Sequence, residues 1–222
     1  MPRPPAHPDN GHAKRRRAVN AHKRLMILAA AGRVFAEHGL EGASLRAIAR
    51  EAGYTPAALY FHYASKEEIY ADLLAESLAR LDAAVTEAAE GAAAADKAAQ
   101  EQALARLRGA AFAFFDFYRD QPGDLQLGFY LYRGMKPMGL TVELNTRLNA
   151  ALVAVLDRMQ RPLADLGLPP SAAEQATASL FAQITGLLLL LHTGRIKLFA
   201  VEARELLTDY LDRMIASAAL SG

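Results

Sequence analysis

Apolar side chains recur at helical spacing along nearly the whole chain, and no stretch shows the alternation of a half-buried strand. The first such pattern runs from His22 to Glu37 and is followed by Gly39, the residue type favoured just past a helix C-terminus. Pro162 is expected to kink or split one of the later helices. The pattern predicts an all-α chain of nine or ten helices, the later ones at 66–89, 97–119, 124–133, 141–166, 171–196 and 201–218.

Hydroxyl side chains mark the expected helix starts. A Ser or Thr N-cap accepts a hydrogen bond from a free N–H of the first turn, and a Glu three residues later can return one. The sequence predicts N-caps at Ser44, Thr55 and Thr141, and capping boxes at Ser65–Glu68 and Ser171–Glu174.

The stretch from 51 to 70, EAGYTPAALYFHYASKEEIY, ends one helix and then begins and ends a very short one. Gly53 supplies the turn, and Thr55 followed by Pro56 supplies an N-cap and a first helical residue. A helix this short is marginal by itself. Two helices joined by a tight glycine turn describe a helix-turn-helix, whose second helix keeps its outer face for DNA.

Charge is divided unevenly along the chain, although the net charge is only +1. Residues 1–66 hold 11 Lys and Arg against 4 acids, a net charge of +7, whereas the remainder carries −6. A basic N-terminal segment followed by an acidic remainder predicts that the N-terminal end binds a polyanion.

Residues 1–21 show no periodicity and are predicted to form a disordered basic arm. The run Lys14–Arg17 within the arm has two open interpretations. It could reach a DNA minor groove or phosphates, as homeodomain arms do, or it could be a solvated tail, since ordering it on binding costs entropy.

The block from Arg24 to Tyr70 resembles the TetR family of one-component bacterial regulators. The resemblance rests on the helix ending FAEHG and on the following segment ASLRAIAREAGYTPAALYFHYASKEEIY. It implies a helix-turn-helix DNA-binding domain at 22–66 and a helical effector-binding and dimerisation domain at 67–222. Many members have Gly-Thr where this chain has Ala57-Ala58, which removes one possible hydroxyl contact.

The same resemblance implies which residues contact DNA. Arg46 would meet a base edge, and bidentate contact with guanine is the chemistry that arginine suits best. Any of these side chains taken alone could be an ordinary solvated or packing residue, but together, in a basic segment, they favour DNA. The residues expected to face the bases are Arg46, Thr55, Ala57, Ala58 and Phe61. The residues expected to contact the DNA backbone, which position the protein without reading sequence, are Ser44, Tyr60, His62 and Lys66.

Aromatic residues crowd the stretch 112–132, where they would make an ordinary core. The resemblance adds a small-molecule pocket with apolar walls and a few polar groups, for which the candidates are Phe115, Phe129, Arg133 and His192. His192 follows five leucines, and a lone histidine there is more often a satisfied core or interface residue, the interpretation that we favour. The wide apolar faces of 171–196 and 201–218 predict a homodimer through a four-helix interface.

Enzyme classes find little support in the sequence. There is no cysteine, and the six histidines show neither HExxH nor another metal-binding spacing. No catalytic residue, cofactor or metal site is therefore expected. The N-terminus lacks the apolar segment of a signal peptide, and polar residues interrupt the longest apolar stretch, 176–191, so a cytoplasmic protein with no membrane partner is predicted.

The predicted function is a sequence-specific DNA-binding transcriptional regulator. The expected mode is repression, with release from a palindromic operator by a largely apolar small molecule. The alternative is a ligand-independent architectural or activator DNA-binding protein with the same fold, and a ligand-induced loss of operator binding would separate the two.

Overall fold

The computed structural model describes residues 10–93, 98–129 and 140–219. Within these ranges the chain is all-α, as predicted, and contains no strand. A single turn of 3-10 helix, Arg195–Leu198, was not predicted. The α-helices of the described residues are α1 (Asn10–Gly42), α2 (Leu45–Glu51), α3 (Pro56–Tyr60), α4 (Lys66–Ala92), α5 (Ala99–Asp120), α6 (Pro122–Gly128), α7 (Val142–Asp165), α8 (Pro170–His192) and α9 (Ala203–Ala219).

The described chain divides into two compact units, one up to Leu73 together with Leu140 and the other from Leu74 onward. The boundary therefore falls inside α4, about two turns later than the boundary after residue 66 that the resemblance implied. The first turns of α4 belong to the first unit and its remainder belongs to the second.

The first unit has a small core built from α1, α2, α3 and the start of α4. Its largest fully buried members are Phe35 and Tyr70, whose rings meet edge to face with centroids 5.3 Å apart. Edge-to-face packing of this kind adds to the stabilisation from burial. The other fully buried side chains here include Ile27, Leu28, Ile48, Leu59 and Ile69.

The second unit packs α5 against α7 and α8, with α9 on α8. Phe114, Tyr118 and Phe181 form an aromatic cluster in its core, with ring centroids 5.2 and 5.8 Å from Phe114. A Cβ at Gly109 on α5 would lie 2.6 Å from the carbonyl oxygen of Ala88 on α4. Only glycine therefore permits this close approach of the two helices.

Most predicted helix starts are confirmed. Ser44, Thr55 and Thr141 each accept a hydrogen bond from an N–H of the following turn. Ser65 accepts from Glu68 at 3.2 Å, but the Glu68 carboxylate returns its bond to the N–H of Ala64 rather than to that of Ser65.

The predicted capping box at Ser171–Glu174 is wrong. Helix α8 begins at Pro170, and no side chain caps its N-terminus. Pro170 has no N–H, so the uncapped end of α8 leaves one fewer donor without a partner. Helix α7 runs unbroken through Pro162, so the predicted split did not occur.

The expected disordered arm is also corrected in part. Helix α1 extends back to Asn10, so residues 10–21 are helical, while residues 1–9 lie outside the described part. The stretch from Ala13 to Ala31 contains neither glycine nor proline, and alanine, arginine and lysine are strong helix formers. The absence of apolar periodicity was a poor guide because this segment buries no face. At the other end, Gly39 leaves the regular helix with φ 68°, as predicted.

Candidate nucleic-acid interface

Helices α2 and α3 form the predicted helix-turn-helix. Gly53 adopts φ 72° in the turn, a left-handed conformation that glycine reaches without steric cost. The N–H of Tyr54 closes the turn by donating to the carbonyl of Ala49 at 2.8 Å. Ala49 is fully buried, and its small side chain lets the two helices cross closely.

Helix α3 is anchored by one residue and leaves its outer face free. Leu59 is fully buried, whereas Tyr60 is 55% and Phe61 88% exposed. Neither exposed ring stabilises the fold by full burial, so both are available to contact an external partner. Thr55, Ala57 and His62 are exposed as well, and Ala58 is half-buried.

Arg46 lies exposed on α2 and has no hydrogen bond or ion pair to any residue that the structure describes. Arg33, elsewhere in the same unit, is paired instead, with its Nε 2.6 Å from the Glu51 carboxylate. The guanidinium of Arg46 is therefore available to an external partner, whereas that of Arg33 is already partly neutralised.

Lys66 has a structural role that the resemblance did not imply. Its ammonium donates to the carbonyl oxygens of Glu41 at 3.0 Å and Ala43 at 3.1 Å. These bonds satisfy carbonyls after the end of the regular part of α1 and tie them to the first turn of α4. Only one of the three N–H donors of Lys66 is left for a phosphate, so its predicted DNA contact stays a prediction.

A polar network that the sequence did not predict lies beside His62. Asp72 on α4 accepts a hydrogen bond from the Tyr63 hydroxyl at 3.1 Å and forms an ion pair with Arg24 of α1 at 3.1 Å. Burial raises the pKa of Tyr63 to about 12, so the hydroxyl stays a neutral donor at physiological pH. Arg24 is distant in sequence from both Tyr63 and Asp72, and no local pattern could have paired it with them.

This network borders a groove of about 320 Å³ on the first unit. Residues of α1 form one side of the groove, and residues that follow α3 form much of the other. The lining is Asn20, Ala21, Arg24, Ile27, His62, Tyr63 and Asp72.

The candidate pocket residues of the second unit are only partly brought together. Phe115 is buried in the core, and Phe129 stacks on Phe181 with ring centroids 5.9 Å apart. His192 Nε2 lies 2.9 Å from the carbonyl oxygen of Tyr118, which fits the satisfied histidine that we favoured. Arg133 lies outside the described residues.

Comparison with known proteins agrees with this geometry. Residues 27–73 match the family of bacterial regulatory proteins called the tetR family. The HTH-type transcriptional repressor AcnR of Corynebacterium efficiens is 38% identical over 66 residues, which cover 30% of this chain and 35% of that protein. The chain thus matches about a third of the length of these first relatives.

Two further similarities extend over both units. The HTH-type transcriptional activator FasR of Mycolicibacterium smegmatis is 28% identical over 175 residues, covering 79% of this chain and 74% of that one. The transcriptional regulator FadR of Bacillus subtilis, solved in complex with stearoyl-CoA, superposes with a TM-score of 0.62 at 18% identity, covering 86% of this chain and 97% of FadR. At that identity the superposition shows the fold alone. The helix-turn-helix geometry and the family match together place residues 27–73 in the tetR family of bacterial regulatory proteins.

Proposed function

We propose that the protein is a sequence-specific transcriptional regulator of the cytoplasm, a repressor that binds a palindromic operator as a homodimer. The observation that carries the proposal is the outer face of α3, which is exposed and lies next to an unpaired arginine on α2. The described geometry does not favour the alternative of a ligand-independent architectural or activator DNA-binding protein with the same fold.

The proposed contacts follow from what each side chain can donate. Arg46 contacts a base edge, and the methyl groups of Ala57 and Ala58 are suited to the methyl of thymine. Tyr60 and His62 contact phosphates, which position the protein without reading sequence.

Arg46→Ala is expected to weaken operator binding by about 1–3 kcal/mol and to relax the base preference at one position of each half-site. Binding isotherms on operators substituted base by base would measure both effects. Arg33→Ala is the matched control, since it removes the same charge from the same unit but from an arginine already paired with Glu51. A uniform loss across all operator variants would exclude base recognition by Arg46.

Helix α8 supports the homodimer. Over its most apolar 18-residue window, α8 is long and apolar enough to cross a membrane, yet only 28% of that window is buried. Such a helix is weak evidence for a membrane span. Its exposed side carries the small residues Ala178, Ala182 and Gly186 at four-residue spacing, followed by Leu189, which is 46% exposed. A second copy of α8 and α9 packed on this side would cover it.

Two-fold symmetry of the dimer imposes two-fold symmetry on the operator. The two α3 helices would then reach half-sites about 34–36 Å apart, one turn of DNA, or a multiple of that distance.

An effector site in the second unit is supported by an unsatisfied hydroxyl on α4. Ser77 is fully buried, and its Oγ has no hydrogen-bond partner among the described residues. A buried polar atom without a partner costs free energy that a ligand could recover. Leu74, Leu78 and Leu81, on the same part of α4, are buried in the second unit.

Helix α4 is the proposed link between effector and operator. Its first two turns hold Lys66 and Asp72, which tie it to α1, and the rest belongs to the second unit. A ligand that prefers one position of α4 would alter the separation of the two α3 helices. To change operator affinity measurably, the ligand must bind the protein with α4 in one position more tightly than in the other, by about 1–3 kcal/mol.

Stearoyl-CoA is the first effector probe to use, because its long acyl chain is apolar and because FadR of B. subtilis was solved in complex with it. We expect it to lower operator affinity, and operator DNA to lower stearoyl-CoA affinity by the same factor, since coupling is reciprocal. Titration calorimetry with and without operator would measure both factors. Binding of stearoyl-CoA that is unaffected by operator would contradict the coupling, and absence of binding would exclude a long acyl effector.

Ser77→Ala offers an independent check on the effector site. Removing an unsatisfied buried hydroxyl is expected to leave thermal stability unchanged or slightly raised. The same variant should bind the effector more weakly if Ser77 faces it.

A further inference from the structure

The N-terminal part of α1 is a helix that buries none of its side chains against the residues that the structure describes. Every residue from Lys14 to His22 is exposed, and burial on α1 begins at Ile27. All of the charged residues in this segment are basic, because no acid occurs between Asp9 and Glu37. The basic residues over the same stretch are Lys14, Arg15, Arg16, Arg17, Lys23, Arg24 and Arg33.

Such a helix is poorly stabilised from within. Four consecutive cations repel one another, and the N-terminal end of a helix already carries a partial positive charge with no acid in the first turn of α1 to offset it. An exposed helix also gains nothing from burying an apolar face. A polyanion lying along the segment would turn each of these unfavourable charges into a favourable one.

The register of α1 fixes which cations such a polyanion would meet. At 3.6 residues per turn, successive side chains rotate by about 100° around the helix. Arg17 therefore points along the same side as Asn20 and Arg24, which line the groove beside His62. Arg15 is rotated by about 200° from Arg17 and faces the other way. Lys14 lies about 60° from Arg17, on the same side of the helix, and Arg16 lies about 100° from Arg17, on a flank.

We propose that the extension of α1 is a second DNA-contacting element, in which Arg17 binds the sugar-phosphate backbone of the duplex outside the half-site. The inference rests on the proposed function, since His62 is its backbone contact and lies across the groove from α1. Arg17 is about 10 Å further along the axis than Arg24, at 1.5 Å per residue. The basic helix thus extends the contact surface past the helix-turn-helix, and contacts of this kind carry no sequence information.

The test compares Arg17→Ala with Arg15→Ala in the full-length protein. The probe is a 40-base-pair duplex that the wild-type protein has selected from a random-sequence library. Each variant loses one charge from the same exposed helix, so net charge and helix propensity are matched. We expect the slope of log K against log salt to flatten by about 0.9 per chain for Arg17→Ala and to stay unchanged for Arg15→Ala. Equal flattening in both variants, or none in either, would overturn the proposal.

Trimming the DNA locates the contact. The wild-type protein should bind a duplex cut back to the two half-sites no more tightly than the Arg17→Ala variant binds the 40-base-pair duplex. The Arg17→Ala variant should bind the short and the long duplex equally tightly. An equal loss for both proteins on trimming would overturn the proposal. Circular dichroism of both variants should match the wild type.

Failure of the proposed function would give a different result. A wild-type protein that selects no sequence from the library would reject sequence-specific regulation. In that case the slope of log K against log salt is measured for both variants on an unselected 40-base-pair duplex. A flatter slope for Arg17→Ala alone would still support a DNA contact by Arg17.

Discussion

Replacing Ala182 by arginine is expected to turn the protein into a monomer. Ala182 is exposed near the middle of α8, on the side that carries Ala178 and Gly186. In the proposed dimer this substitution would bury two unpaired guanidinium groups near the two-fold axis. Burying a charge without a partner costs about 3–5 kcal/mol, enough to lower the association constant by a factor of about 100 to several thousand.

Light scattering at micromolar concentration would measure this change directly. Ala83→Arg on α4 is the matched control, because it places the same side chain at an exposed position of the same unit and is expected to leave the dimer intact. The melting of helical structure at low protein concentration should be similar for both variants. Operator affinity should fall steeply for Ala182→Arg alone, since each chain would then bind one half-site. A dimer that survives the substitution would place the interface elsewhere.

Phe35→Ala is expected to unfold the DNA-binding unit at moderate denaturant concentration. Phe35 on α1 is fully buried and packs edge to face on Tyr70 of α4, so its removal leaves a cavity between these two helices. Large-to-small substitutions of buried phenylalanine cost about 3–5 kcal/mol of unfolding free energy. The first unit is small, and that loss is a large fraction of the stability of a typical domain.

Phe61→Ala is the comparison that separates folding from binding. Phe61 is 88% exposed, so its removal is expected to change the unfolding free energy by no more than about 0.5 kcal/mol. Operator binding should nevertheless weaken, because Phe61 lies on the outer face of the helix-turn-helix. Urea titrations followed by circular dichroism, with binding measured in parallel, would give both quantities. Equal destabilisation by the two substitutions would show that Phe61 packs inside the unit.

Local chemistry explains why much of the fold could be predicted. A capping hydroxyl, a glycine turn and a proline in the first turn act over three or four residues, and so the starts of α2, α3 and α7 follow from Ser44, Thr55 and Thr141. Helical periodicity predicted the all-α class for the same reason. The exposed set on α3 was predicted through a family resemblance that rests on a short continuous block of residues.

Interactions between residues distant in sequence could not be predicted in this way. Lys66 donates to carbonyls more than twenty positions earlier, and Arg24 pairs with Asp72 across the first unit. Periodicity also failed for residues 10–21, because a helix that buries no face leaves no apolar pattern to detect. The sequence by itself determined the helical class and the helix-turn-helix, since those depend on neighbours along the chain. Tertiary structure decided which cations are engaged and which are free to meet DNA, since that depends on the residues that folding brings together.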